Sequence, residues 1–100
     1  EVVSLPLKSG QVSFPALMTM LGKRGITSVL IEGGSTVNAT ALREQLVNRI
    51  LFYFAPTLMG GQDAKAVIGG RSPKRLAQAV SLRHVMVRRI GDDLVVEGDL

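Results

Sequence analysis

The sequence contains no cysteine and only four aromatic residues among its 100 positions. Without cysteine, the chain has no disulfide framework, no thiolate nucleophile and no zinc–thiolate centre. This composition fits the reducing cytoplasm, which is where we expect the protein to work. An unbroken apolar run of about 18 residues, the length that a membrane-spanning helix needs, is also missing, so we expect no membrane partner.

Acidic residues are missing from one long stretch of the chain. Between Ala64 and Gly91 there are seven lysines and arginines and no acid, and the net charge of the whole chain is +4. Such an excess can serve nucleic-acid binding. However, three of the four aromatic residues stand together at 52–54, far from the basic stretch. We therefore predict a solvated basic face and no nucleic-acid partner.

The first half of the chain alternates between strand-like and helix-like patterns. Apolar and β-branched runs predict strands at 2–7, 28–31 and 50–55. Apolar residues at helical spacing predict one helix from the N-cap Ser13 to Gly25 and a second over 35–46. This alternation favours parallel strands that are joined by right-handed crossovers.

The second half has a different character. Residues 56–79 are rich in glycine and predict loops, with a short helix near 74–78. Two further strands, 80–90 and 94–97, flank a Gly-Asp-Asp turn and predict an antiparallel hairpin. In this hairpin the basic first arm would lie beside the acidic second arm, which gives the uneven charge a cross-strand explanation.

The segment Glu32-Gly33-Gly34-Ser35 places an acid and two glycines between an apolar strand and a helix. Ligands of open α/β sheets bind beyond the carboxyl ends of the strands. The first N–H groups of the helix lack partners and attract anions, and glycines at φ > 0 would let a ligand approach the backbone. The segment therefore indicates a phosphate or pyrophosphate site, to which the hydroxyl groups of Ser35 and Thr36 can donate.

Two simpler interpretations of this segment stay open on the residues alone. The glycines can form a tight turn in which Ser35 is an N-cap, and Glu32 can be a surface acid or an ion-pair partner. A carboxylate would repel a phosphate, so Glu32 in a functional site should face an amine or hydroxyl group of a second ligand. The segment is not a P-loop, because no Lys-Ser or Lys-Thr pair follows, and it is not a dinucleotide fingerprint, because the Gly-x-Gly-x-x-Gly spacing and an acid about 20 residues later are absent.

A series of motifs runs through residues 25–61, GITSVLIEGGSTVNATALREQLVNRILFYFAPTLMGG. In order, they are Glu-Gly-Gly at 32–34, an asparagine at 38, Leu-Arg-Glu at 42–44, Ala-Pro at 55–56 and Leu-Met-Gly-Gly at 58–61. This series resembles the C-terminal part of the reductase domain in the bifunctional riboflavin-biosynthesis deaminase/reductase family. The match covers most of the chain, and its central part is specific.

The resemblance implies an α/β, dihydrofolate-reductase-like fold: a partial sheet of order β-α-β-α-β-loop-β-β, with mainly parallel strands and a C-terminal antiparallel hairpin. It implies NADPH-dependent reduction of 5-amino-6-(5-phosphoribosylamino)uracil to the ribitylamino compound, with Glu32 at the substrate. The phosphates of NADP(H) would bind around the start of the second helix, at Gly33, Gly34, Ser35, Thr36, Val37, Asn38, Ala39 and Thr40. No acid–base catalyst and no metal ligand is assigned, since positioning the nicotinamide against the sugar suffices for hydride transfer.

The family's reductase domain is longer than this chain, so we expect residues 1–100 to be its C-terminal portion, inactive in isolation. Two alternatives are a truncated half-domain that serves as a dimerisation or interaction module, and a related pterin or pyrimidine reductase. An exposed sheet edge and apolar face favour self-association, with a homodimer as the expected state. The preference for NADPH over NADH rests on the resemblance alone, because the Gly-Gly turn carries no basic residue.

Overall fold

The computed structural model describes all 100 residues. It contains two helices and two antiparallel sheets. In chain order the elements are β1 (Leu7–Lys8), β2 (Gln11–Val12), α1 (Phe14–Lys23), α2 (Ser35–Arg43), β3 (Arg49–Phe54), a short 3-10 helix (Leu76–Gln78), β4 (Arg83–Ile90) and β5 (Asp93–Asp99). Neither α-helix has the length and apolar character needed to cross a membrane.

Helix α1 forms where the sequence predicts it. The hydroxyl of Ser13 accepts a hydrogen bond from the backbone N–H of Ala16 at 3.4 Å, which caps the first turn, and a proline stands at the helix start. Lys23 lies in the last turn, where its positive charge interacts favourably with the negative end of the helix dipole. Gly25 then takes φ +78° and ends the helix.

Helix α2 is shorter than the predicted span 35–46. It ends at Arg43, because Gln45 adopts a left-handed conformation with φ 55°. The N–H of Leu46 then turns back to the carbonyl oxygen of Ala41 at 3.1 Å, which satisfies the helix end. Glycine is the usual residue in this conformation. Because a glutamine stands here instead, the sequence contains no signal for the end of the helix.

The C-terminal hairpin is confirmed. Strand β5 lies at the centre of a three-stranded sheet of order β3-β5-β4, and both pairings are antiparallel. Val96 lies opposite Phe52 on one side and Val87 on the other. The guanidinium of Arg88 in β4 donates to Glu97 in β5 at 3.5 Å, which supports the predicted pairing of a basic arm with an acidic arm.

The sequence predicts mainly parallel strands, and this prediction is wrong within the chain, where every strand pairing is antiparallel. Residues 28–31 form no strand, and of the segment 2–7 only Leu7 enters a ladder, in the short β1–β2 hairpin. That hairpin turns at Ser9 and Gly10, both with positive φ. An apolar run predicts burial, whereas a strand also needs a neighbouring strand to complete its hydrogen bonds. The segments 2–6 and 28–31 have no such neighbour within this chain.

The chain buries very little of itself. Only three of its 100 residues are buried, among them Ala41 in α2 and Val95 in β5. A groove of about 860 Å³ separates the remaining apolar surfaces. We call it the central groove; it is lined by parts of both helices, residues 26–32, residues 46–53 and the pair Val67–Ile68.

Candidate functional site

Glu32 lines the central groove, and its side chain makes no hydrogen bond or ion pair within the chain. Fifteen of the 21 residues around the groove are hydrophobic, and Glu32 is the only carboxylate among them. The one other charged residue there, Arg49, already donates to Asp99 at 2.8 Å. Glu32 is therefore an exposed carboxylate in an apolar groove, and it can accept hydrogen bonds from amine or hydroxyl groups of a ligand.

The start of α2 presents three free backbone N–H groups. The first helical hydrogen bond runs from the N–H of Asn38 to the carbonyl oxygen of Gly34 at 3.0 Å. The preceding amides of Ser35, Thr36 and Val37 have no acceptor in the chain, and Gly34 contributes no side-chain cap. These amides carry the positive end of the helix dipole, which is a suitable environment for a phosphate oxygen.

The two glycines before α2 act differently from the expectation, since neither adopts a positive φ. Gly34 is the N-cap, with φ −61° and ψ 179°, a conformation that any residue can take. A Cβ atom at Gly34 would meet no protein atom within 4 Å, whereas one at Gly33 would lie 3.0 Å from Cγ1 of Val37. Gly33 thus packs closely against the side chain of Val37, and Gly34 leaves open space beside the free amides.

The remaining members of the predicted phosphate loop separate into two groups. No side-chain hydrogen bond within the chain engages the hydroxyls of Ser35 and Thr36, so both are free to donate to a ligand. The hydroxyl of Thr40 donates to the carbonyl oxygen of Thr36 at 3.0 Å, and Thr40 lines a separate pocket of about 210 Å³ beside the β1–β2 hairpin. Thr40 therefore lies away from the free amides.

The sequence pattern gave no role to the loop that contacts the first turn of α2. Asn38 donates from its side-chain amide to the carbonyl oxygen of Val67 at 2.9 Å, and Gly69 donates from its backbone N–H to the carbonyl oxygen of Ser35 at 3.0 Å. The Gly69-Gly70 pair in the loop-rich region was the available signal, since paired glycines permit close approach of two backbones.

Arg49, which lines the central groove, is paired with Asp99. Its carboxylate accepts hydrogen bonds from Arg49 at 2.8 Å and faces Nδ1 of His84 at 3.2 Å. The hydrogen bond from Arg49, followed by the contact with His84, lowers the pKa of Asp99 below its ordinary value. Asp99 therefore holds Arg49, a lining residue of the groove, at the base of β3.

The sequence of the chain matches a known family over nearly its full length. The model of the RibD C-terminal domain matches residues 1–96. The chain is 37% identical over 97 residues to the riboflavin biosynthesis protein RibD of Actinobacillus pleuropneumoniae. This alignment covers 97% of this chain and 26% of that protein. It is 33% identical over 87 residues to the 2,5-diamino-6-ribosylamino-4(3H)-pyrimidinone 5′-phosphate reductase of Methanothermobacter thermautotrophicus. This second alignment covers 87% of this chain and 40% of that enzyme.

Comparison with solved structures indicates the same family as the sequence comparison. The solved structure of RibD from Acinetobacter baumannii superposes with a TM-score of 0.77 and 26% sequence identity, over 94% of this chain and 29% of that one. The resemblance inferred from the motifs at 32–61 is thereby confirmed. The chain spans between 26% and 40% of the length of these two curated relatives.

Proposed function

The chain belongs to the family of RibD C-terminal domains, and from this premise we propose that it forms one wall of the active site in an NADPH-dependent reductase of riboflavin biosynthesis. The proposed substrate is 5-amino-6-(5-phosphoribosylamino)uracil, whose ribosyl group is reduced to a ribityl group. The observation that supports this most strongly is the juxtaposition of three free amides at the start of α2 with Glu32, two residues before the helix cap. The name of the Methanothermobacter relative supports a reductase of a ribosylaminopyrimidine phosphate, and the name of the Actinobacillus relative supports a role in riboflavin biosynthesis.

The first turn of α2 is the proposed site for the cofactor phosphates. Three N–H groups, with the hydroxyls of Ser35 and Thr36 beside them, form a donor set that matches the acceptor oxygens of a pyrophosphate. Gly34 fits the same role, because the space around its Cα is open and a ligand can reach the backbone there. When NADPH is bound, its nicotinamide supplies the hydride for the reduction.

Glu32 is the proposed contact for the second reactant. An ionised carboxylate only accepts hydrogen bonds, so it suits the amino groups of the pyrimidine or the hydroxyl groups of the ribosyl chain. It would repel the phosphates of either ligand at short range. The carboxylate therefore helps to orient the two reactants, with the substrate towards the central groove and the cofactor phosphates towards α2.

The proposed contribution of this chain to the rate is orientation. Holding two reactants in a reactive geometry replaces a bimolecular encounter with a unimolecular step, which can lower the barrier by about 7–11 kcal/mol in favourable cases. Once the site is closed, the apolar lining of the central groove would help to exclude water from the space beside Glu32. The proton that the reduction also consumes would come from solvent, so the scheme assigns no acid–base pair to this chain.

The whole activity is proposed for the protein in which these residues are completed to a closed site. With three buried residues and an open groove, the 100 residues on their own supply one side of a cleft. We expect them to bind NADPH weakly and to show little or no turnover. The remaining contacts to the substrate would come from regions that correspond to the rest of the longer relatives.

A reductase assay tests this function. The gene product that carries these residues is mixed with NADPH and the 5-amino-6-(5-phosphoribosylamino)uracil substrate, and the loss of NADPH absorbance is followed. We expect substrate-dependent oxidation of NADPH, together with a ribityl product identified by mass spectrometry. The 2,5-diamino pyrimidinone named for the archaeal relative is assayed in parallel. If neither pyrimidine caused oxidation of NADPH, the proposal would be overturned.

A second candidate function is an interaction module, and the exposure of β4 favours it. This strand lies at the edge of the sheet, and all eight of its residues are exposed. Such an edge can pair with a second copy of the chain. Calorimetry with NADPH separates the two functions: measurable binding supports the reductase, whereas self-association without any binding supports the module.

A further inference from the structure

The loop Val67–Gly70, called here the 67–70 loop, contacts the first turn of α2 through backbone atoms. The N–H of Gly69 donates to the carbonyl oxygen of Ser35 at 3.0 Å. The carbonyl oxygen of Val67 accepts from the side-chain amide of Asn38 at 2.9 Å. The loop and the helix turn are therefore joined by two hydrogen bonds, one turn apart on α2, although about thirty residues separate them in sequence.

The contact is tight at the position of Gly69. A Cβ atom at Gly69 would lie 3.3 Å from the carbonyl carbon, the carbonyl oxygen and the Cβ of Ser35. The next residue, Gly70, adopts φ +82°, and a Cβ there would lie 3.6 Å from that of Ala39. Gly69 thus lets the loop backbone lie close to that of Ser35, and Gly70 supplies the positive φ of the adjoining turn.

Ser35 is the first residue of α2, so a hydrogen bond to its carbonyl group fixes the orientation of the peptide units that begin the helix. Those units carry the free N–H groups of Thr36 and Val37. We propose that the 67–70 loop is the positioning element of the cofactor site: it holds the first turn of α2 so that the free amides stay aimed at the phosphates. This inference rests on the proposed function.

Asn38 takes a different role within this arrangement from the one that the sequence predicts. One N–H of its side-chain NH2 group donates to the carbonyl oxygen of Val67, and through this bond Asn38 acts on the cofactor by way of the loop. Asn38 and Gly69 are positioning residues in this sense. Their effect should fall on the affinity for the dinucleotide, while the chemistry at the substrate proceeds as before once the cofactor is bound.

The test compares Gly69→Ala with Gly60→Ala in the gene product that carries these residues. A Cβ at Gly60 meets no atom within 4 Å, so this control makes the same chemical change in open space. We expect Gly69→Ala to raise KM for NADPH about tenfold, the scale of a helix-terminus interaction with an anion. KM for the pyrimidine, and kcat at saturating NADPH, should stay within about twofold of the unsubstituted protein, and Gly60→Ala should change none of the three.

A second pair of variants decides the question if Gly69→Ala fails to fold. Asn38→Leu keeps the approximate size of the side chain but removes the donor to the carbonyl oxygen of Val67 without adding a charge near the phosphates, so KM for NADPH should again rise. Asn38→Gln retains the amide donor and should recover part of the loss. If Asn38→Leu and Asn38→Gln were equal to the unsubstituted protein in KM for NADPH, the positioning role would be refuted.

Each remaining outcome has one meaning. An unchanged KM for NADPH in Gly69→Ala overturns the inference and leaves the reductase function intact. A variant with lower kcat, lower Tm and a higher KM for both NADPH and the pyrimidine also overturns it, because this result shows that the loop serves the stability of the fold alone. If the unsubstituted protein does not bind NADPH, the proposed function fails first, and the 67–70 loop then has no cofactor site to position.

Discussion

Gly33 packs directly against Val37, such that a Cβ atom on Gly33 would lie 3.0 Å from Cγ1 and 3.2 Å from Cβ of that valine. The neighbouring Gly34 has no atom near the equivalent position. The two glycines therefore serve different purposes, although the sequence presents them as one motif. Gly33 allows the protein to fold back on its own helix, and Gly34 allows a ligand to approach that helix.

The first prediction concerns the stability of the turn before α2. Gly33→Ala should lower the free energy of unfolding by about 1 kcal/mol, because the added methyl group forces Val37 or the turn to move. Urea unfolding followed by circular dichroism measures the change. Gly34→Ala is the matched control and should cost less, since its methyl group enters open space. Equal losses in both variants would contradict the division of roles between the glycines.

The second prediction concerns cofactor affinity at Gly34. Gly34→Val places a branched side chain in the space beside the free amides, so the dissociation constant for NADPH should rise at least about tenfold. The free energy of unfolding should change by less than about 1 kcal/mol, because the extended backbone of this N-cap accepts any residue. Fluorescence titration of the bound nicotinamide gives the affinity. A valine variant that binds NADPH normally would show that the phosphates bind elsewhere.

The third prediction concerns Glu32. Glu32→Gln removes the charge but keeps the shape, so KM for the aminopyrimidine should rise by about ten- to a hundredfold, the range of a hydrogen bond to a charged group. The dissociation constant for NADPH should stay the same, because the carboxylate is assigned to the other reactant. Steady-state kinetics at saturating NADPH measures the effect. Asp92→Asn, a similar change in the β4–β5 turn, is the control, and a matching effect there would remove the special role of Glu32.

The fourth prediction concerns stability in acid. The pKa of Asp99 is lower in the folded chain than its ordinary value, because Arg49 and His84 favour the carboxylate. The folded state therefore binds this proton more weakly than the unfolded state. The resulting stabilisation is present above about pH 4, the ordinary aspartate range, and it is lost as the pH falls through the lowered pKa.

Asp99→Asn should consequently flatten the dependence of unfolding free energy on pH in that acidic range. Urea unfolding at a series of pH values measures the slope. Part of the slope should persist in the variant, because the hydrogen bond from Lys8 lowers the pKa of Glu44 in the same direction. An identical slope with and without Asp99 would mean that its contacts with Arg49 and His84 add no stability in solution.

The fifth prediction concerns self-association through β4. Val85 and Val87 are 51% and 63% exposed on this edge strand, so they offer apolar surface to a second copy of the chain. We expect sedimentation to show a dimer at micromolar concentration and the joint substitution of both valines by lysine to weaken it. A species that stays monomeric throughout this range before any substitution would contradict the proposed dimer.

Local signals were sufficient for those parts of the fold that are stabilised locally. Ser13 and Gly25 mark the two ends of α1, and Gly91 marks the turn between β4 and β5, because each satisfies the backbone through residues close in sequence. The family resemblance was equally accessible, since its motifs lie in order along one segment of the chain. The helix, the hairpin and the family were therefore predictable from the residues alone.

Features that depend on distant residues were not predictable in this way. The run at 28–31 has strand composition but no strand partner within the chain, so the predicted parallel sheet is wrong. The role of Asn38 depends on Val67, and no periodicity relates the two positions. Gly33 and Gly34 were predicted to take positive φ angles, which neither does, and the close packing of Gly33 depends on the position of Val37 in three dimensions.

The measurement that tests the account most directly is a titration of the gene product with NADPH, followed by the 1H–15N NMR signals of Ser35, Thr36 and Val37. We predict large, saturating shifts of these three amides, with the same midpoint as the fluorescence titration and with little change at Asp92 in the distant turn. Saturating binding that leaves the three amides unmoved would contradict the claim that the start of α2 holds the cofactor phosphates.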